Sequence, residues 1–242
     1  MTMRSIVIPC GEKQLAGVVH EPAAANGKVL VLCHGFRGSK EGGGRAVFLA
    51  EQARMKNFTV VRFDFTPTEC VTNQIQEIRA VVVYCRAILG QQIILLGRSL
   101  GGSASLAFAA DDGKLTGLCL WSTPCDLHET FRLALGNNYQ RLAEGRDIQV
   151  EDEYGKLELS PHFIADFDCY DLVTCVQRIS GLPLLVLHGG ADAVVHLQQA
   201  DTLFRHAGEP KKMVVIDGAD HQFSQHATQA TEAVIAWLET FV

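Results

Sequence analysis

An α/β fold built on a mostly parallel, doubly wound sheet with helices on both faces follows from three features of this sequence. Short, nearly unbroken apolar runs recur along the chain, and stretches with the apolar spacing of helices separate them. Between two such segments, a serine stands among glycines in Gly97-Arg98-Ser99-Leu100-Gly101. Runs apolar on both faces belong to strands covered on both sides. Their alternation with helices calls for parallel strands joined by crossovers.

The elements follow in order. "SIVIP" and "LAGVVH" predict an opening hairpin around Gly11. "VLVLC" (29–33), "TVVRF" (59–63), "QIILLG" (92–97), "LTGLCLW" (115–121) and "PLLVLHG" (183–189) predict the buried strands, and "KMVVID" (212–217) closes the series. Helices are expected over 44–55, 74–89, 99–110, 197–206 and 226–239. From Thr123 to Arg178 no strong buried strand occurs where one is due, and a second hairpin is expected about Gly155. The chain is therefore read as a single domain over 1–242 with a small lid inserted at about 124–178. That insert carries eleven acidic residues against five basic ones, the charge of a solvated outer face. Its apolar and aromatic residues, among them Phe131, Leu135, Tyr139, Phe163 and Phe167, are expected to pack on the sheet and to line an acyl or alcohol pocket.

Composition narrows the function. With 48% hydrophobic residues the 242-residue chain can bury a large core. A net charge of −6 without a Lys/Arg cluster argues against a nucleic-acid or anionic-membrane partner. No apolar run reaches the length of a membrane span, and the N-terminus lacks the pattern of a signal peptide. The eight cysteines form no CxxC pair, and Cys33 and Cys119 sit in strand-like runs, so reduced thiols and a cytoplasmic location are expected. No HExxH or similar ligand spacing occurs, and neither metal nor organic cofactor is expected. The glycines at 42–44 are not followed by GK[ST], so they are no phosphate loop.

A serine hydroxyl becomes a nucleophile only when a base takes its proton and the resulting oxyanion is stabilised. The segment 97–101 fits the nucleophile elbow G-x-S-x-G, in which a sharp strand-to-helix turn exposes the serine. Ser99 then sits at a strand's C-terminal tip, with the N–H of Leu100 at the following helix N-terminus. His221, in "GADHQF", and Asp192, in "HGGADAVV", fall in loops after the last two strands, on the same sheet edge. Asp126, after "LTGLCLW", is the rival acid. Asp217 and Asp220 lie too close to His221 to orient its ring, and His188, His206 and His226 read as structural or surface residues. After "LCHGF", Gly35 allows a tight turn against the serine. The N–H of Phe36 is then the second oxyanion donor, with His34 bracing the loop by hydrogen bonds.

Together "HGF", "GRSLGG", "HGGAD" and "GADH" resemble the α/β-hydrolase superfamily over nearly the whole chain. The likeness is greatest to the branch of bacterial carboxylesterases, feruloyl-type esterases and serine aminopeptidase-like proteins. That resemblance implies a Ser99–Asp192–His221 triad, with Phe36 and Leu100 as oxyanion donors. It implies a serine hydrolase that cleaves a small-molecule carboxylic ester through an acyl-enzyme. Thioesters, small peptides and, on a non-catalytic scaffold, mere ligand binding are the alternatives. A peptidase would need to hold a terminal ammonium, a task open to Glu151, Asp152 or Glu153. The sequence departs from relatives at Arg98, where a smaller, aromatic or histidine residue is frequent, and at 64–72, "DFTPTECVT", in place of a Gly-His-Gly-rich stretch.

Overall fold

The computed structural model describes residues 2–67, 70–152 and 155–241. The chain opens on the hairpin of β1 (Thr2–Cys10) and β2 (Lys13–Glu21). Then follow β3 (Lys28–Cys33), α1 (Arg45–Met55), β4 (Thr59–Phe63), α2 (Val71–Ile88), β5 (Gln92–Arg98), α3 (Leu100–Asp112) and β6 (Gly117–Trp121). After β6 the chain leaves the sheet for α4 (Leu127–Leu135), α5 (Asn137–Ala143), a separate hairpin of β7 (Ile148–Asp152) and β8 (Gly155–Leu159), α6 (His162–Ala165) and α7 (Leu172–Arg178). It returns with β9 (Leu184–Gly189), α8 (Leu197–His206), β10 (Lys211–Ile216) and α9 (Ala227–Leu238). Glu153, and Thr68 and Glu69 of the 64–72 stretch, lie outside the described residues.

Among the described residues, eight strands form one sheet in the order β1-β2-β4-β3-β5-β6-β9-β10. The pairs β1/β2 and β2/β4 are antiparallel and the others parallel. From β3 the chain steps outward to β4, then crosses back to β5 on the other side. The order therefore reverses between β3 and β5, and a crevice opens at their carboxyl ends.

The unbroken apolar runs reflect a core on each side of the sheet. Val29, Val31, Ile93, Leu95, Leu118, Leu120, Leu184 and Val186 face one core; Leu30, Leu32, Ile94, Leu96, Cys119, Leu185 and Leu187 face the other. Side chains alternate along a strand, so both positions of each pair must be apolar. Each such leucine or isoleucine contributes about 1.5–3 kcal/mol by leaving water. Helix α2 begins at Val71, three residues ahead of the expected 74, because it is capped from a distance: Asp166 accepts from the N–H of Thr72. A cap 94 residues away leaves no local signal.

The connection 124–178 is anchored rather than loose. Phe131, Phe163 and Phe167 are each 3% exposed and pack ring against ring at 5.0–5.1 Å. Phe36 of the loop after β3 joins them, at 5.2 Å from Phe131 and 5.4 Å from Phe163. Arg37 adds a polar link by donating to Gly155 O at 2.7 Å. Among the described residues, no helix is long and apolar enough to cross a membrane.

Candidate active site

Ser99 occupies the turn between β5 and α3 with φ 51° and ψ −127°, a conformation L-residues rarely hold. The turn is fixed on both sides. Ser99 N–H donates to Trp121 O on the neighbouring strand (2.9 Å), while Ser99 O accepts from Gly102 N–H (2.8 Å). Two close approaches demand glycine: a Cβ on Gly101 would strike His34 O, and one on Gly35 would lie 3.0 Å from Ser99 Cβ. The loop after β3 is thereby pressed against the elbow. The nearby serines have other employment, since Ser103 Oγ donates to Pro124 O and Ser105 Oγ to Gly101 O.

His221 lies in the loop after β10 and Asp192 in the loop after β9. His221 Nδ1 is 2.8 Å from Asp192 Oδ2, and His221 Nε2 is 3.2 Å from Ser99 Oγ. A carboxylate can only accept, so Nδ1 carries the proton and Nε2 is left to accept from the serine hydroxyl. Asp192 Oδ1 accepts from the N–H groups of Val194 and Val195 at 2.9 and 2.8 Å. Burial works against its charge. The bond to His221 and the two backbone donors outweigh it and hold the carboxyl below the usual carboxylate range.

The rival residues have other bonds, although His188 Nε2 lies 3.6 Å from Asp192 Oδ2. Asp126 is the N-cap of α4, accepting from Glu129 N–H at 2.8 Å. His188 is wholly buried, donates from Nε2 to Val195 O at 2.8 Å, and burial pushes its pKa down, so its ring is neutral. His206 caps its own helix through Thr202 O, and His226 opens α9. Cys33 lies close by, but burial pushes its thiol up to about 12, which denies it a thiolate. Glu151 is exposed and 3.8 Å from Lys156.

The loop 34–44 forms one wall of a cavity of about 420 Å³ that reaches Ser99 and His221. His34 braces it as expected: Nε2 accepts from Phe65 N–H (3.0 Å), so Nδ1 donates to Gly35 O (2.9 Å). Burial keeps this imidazole neutral by lowering its pKa. Further along, Lys40 pairs with Asp64 at 2.6 Å, and the buried Arg62 donates to Lys40 O, Glu41 Oε2 and His20 Nε2. The expectation for the insert is corrected here. Among the described residues, none of 124–178 lines this cavity. The insert's aromatic rings satisfy one another and Phe36, while the glycine-rich loop and α1 supply the wall.

Arg98 was singled out only as a departure, and the structure gives it a place. Its guanidinium donates to His221 O and Gln222 Oε1, both at 2.8 Å, tying the elbow to the histidine loop. One set of candidate metal ligands occurs among the described residues, Cys70, His162 and Asp166, with ligand atoms within 4.8 Å of one another. Both Asp166 oxygens are already engaged by Thr72, and burial raises the Cys70 thiol. The cluster is accounted for as the seat of α6 on the start of α2.

Comparison with known proteins matches this geometry at the level of fold. The esterase Est1E from Butyrivibrio proteoclasticus, known also with ferulic acid bound, superposes with a TM-score of 0.85 at 21% identity, covering 98% of each chain. The esterase domain of a Rhodothermus marinus protein gives 0.77 at 22% identity over 98% of each chain. A monoacylglycerol lipase from Paleococcus ferrophilus gives 0.74 at 20%, covering 94% of this chain and 99% of the other. The chain has the α/β-hydrolase fold. In sequence it is 27% identical over 164 residues to the uncharacterised protein YfhR of Salmonella typhimurium, and 25% over 175 residues to that of Escherichia coli K12. These matches take in 62% and 69% of this chain and 48% and 54% of the relatives, so the chain spans about half the length of the curated relatives it matches. No protein-family model matches it.

Proposed function

We propose that this chain is a serine hydrolase that cleaves a carboxylic ester through an acyl-enzyme, with 124–178 as a lid on a single α/β-hydrolase domain. The observation that carries the reading is the hydrogen-bonded series Ser99 Oγ–His221 Nε2 and His221 Nδ1–Asp192 Oδ2, at 3.2 and 2.8 Å. Ser99 Oγ attacks the ester carbonyl while its proton passes to His221 Nε2. Asp192 holds the ring's tautomer and stabilises the imidazolium. The N–H groups of Phe36 and Leu100 take the oxyanion, the latter as the first residue of α3. The intermediate collapses as His221 returns the proton to the departing alcohol. Water, deprotonated by the same ring, then releases the acid. The esterases and the lipase that share the fold support an ester in preference to a thioester or amide, which the same groups could attack.

A fluorophosphonate probe tests the assignment. It should label the protein once, at Ser99, and Ser99→Ala should abolish labelling and lower ester turnover by ~10⁴–10⁶-fold. Labelling that persists in the variant, or maps to Ser103 or Ser105, would remove Ser99 from the mechanism.

A further inference from the structure

We propose that the cavity beside Ser99 takes an ester carrying a second, anionic group: a carboxylate separated from the scissile bond by a short apolar spacer. This deepens the hydrolase reading and rests on it.

The lining is divided by chemistry. Leu32, Leu49, Leu96 and Trp121 form apolar wall, whereas Arg37, Lys40, Arg45 and Arg98 bring cationic side chains; no Asp or Glu is among the lining residues. Lys40 is matched by Asp64, and Arg37 and Arg98 are held by Gly155 O, His221 O and Gln222. Arg45 differs. It lines the cavity and is half-buried, and its guanidinium makes no hydrogen bond or ion pair among the described residues.

Its position sharpens the anomaly. Arg45 is the first residue of α1, an eleven-residue helix whose N-cap, Gly44, supplies no side-chain acceptor and whose first turn holds no acid. The N-terminus of a helix is a positive pole, where Asp or Glu is the favourable neighbour. Here a guanidinium stands beside that pole, and among the described residues no carboxylate pairs with it.

Trp121 extends the apolar wall: it is 6% exposed and lines the same cavity. A wholly apolar acyl chain would leave Arg45 unanswered. A small inorganic anion would leave the leucine wall uncovered. A molecule with an apolar spacer and a terminal carboxylate answers both, and 420 Å³ is within the range of small-molecule sites.

The test compares mono-p-nitrophenyl adipate with p-nitrophenyl hexanoate, and the hexanoyl ester of 4-hydroxybenzoate with phenyl hexanoate. The first pair places the anion in the acyl half and the second in the alcohol half. Arg45→Gln should lower the anionic-to-neutral ratio of kcat/KM by about ten-fold or more in one pair, as expected for a lost charge-assisted contact. Arg45→Lys should keep most of the ratio, and Arg205→Gln, an exposed charge on α8, should leave it alone. A ratio that Arg45→Gln does not move in either pair overturns the proposal, even with Ser99 labelled and neutral esters turned over. If no ester is cleaved and Ser99 takes no label, the hydrolase reading has failed instead. Calorimetry on Ser99→Ala then decides the anion site. Monomethyl adipate should bind more tightly than methyl hexanoate, and the added Arg45→Gln change should erase the difference. Equal binding of the two esters overturns the proposal.

Discussion

Ser99 carries a backbone strain of about 1–3 kcal/mol that the glycines around it and the strand bonds beside it hold in place. The residues of the candidate site were legible because their signals are local: a glycine-flanked serine at a strand end, and an acid and a histidine in the loops after later strands. Asp192 and Asp126 both follow strands that end on the active edge, and the hydrogen bonds separate them by geometry. Asp192→Asn should therefore lower kcat by roughly 10⁴-fold, because the amide favours the wrong histidine tautomer. Asp126→Asn, which keeps an acceptor for Glu129 N–H, should leave kcat within a few-fold, and Asp126→Ala should cost about 1 kcal/mol of stability. Steady-state kinetics and urea melts on the three variants check this; a reversed order would move the acid to the loop after β6. Arg45 was not legible, because its meaning lies in the partner its guanidinium lacks among the described residues, and a missing partner leaves no trace in spacing.

Among the elements, the sheet strands were readable because covered strands must be apolar on both faces. The insert was readable as an interruption but not in its role. Five aromatic and aliphatic residues in 124–178 raised the expectation of a substrate pocket, yet side chains of the same kind equally form a core. Which of the two they form depends on what Phe36 touches, about a hundred residues away. Phe163→Ala should cost about 3–5 kcal/mol as a buried aromatic. By loosening the loop that bears Phe36, it should slow short and long acyl esters by the same factor. A selective loss on long-chain esters in that variant would return the insert to substrate selection.

For the molecule as a whole, two buried histidines, His20 and His188, and the half-buried His34 set a dependence on pH. Burial lowers the pKa values of His20, His34 and His188 in the folded chain. The unfolded chain, near the ordinary value of about 6.5, takes up protons first as pH falls. Unfolding then binds protons, so stability is complete above that value and declines as pH drops below it. The depressed Asp192 carboxyl adds to the decline at still lower pH. The urea midpoint should fall steadily from pH 7.5 to 5.5. A midpoint that stays flat or rises over this interval would mean that these rings are not neutral in the native state.

The loop 34–44 is held by two kinds of force, apolar packing and directed polar bonds, and this separates what can change in a lineage from what cannot. Near Phe36 it asks its neighbour only for an oily socket, which many sequences supply. At Lys40 and Glu41 it leans on Asp64 and on one guanidinium, Arg62, whose fork must find a carbonyl, a carboxylate and an imidazole together. Descendants of this chain can thus trade Phe131 and Phe163 for other large apolar side chains more readily than they can lose one of His20, Glu41 and Arg62, which are inherited as a set.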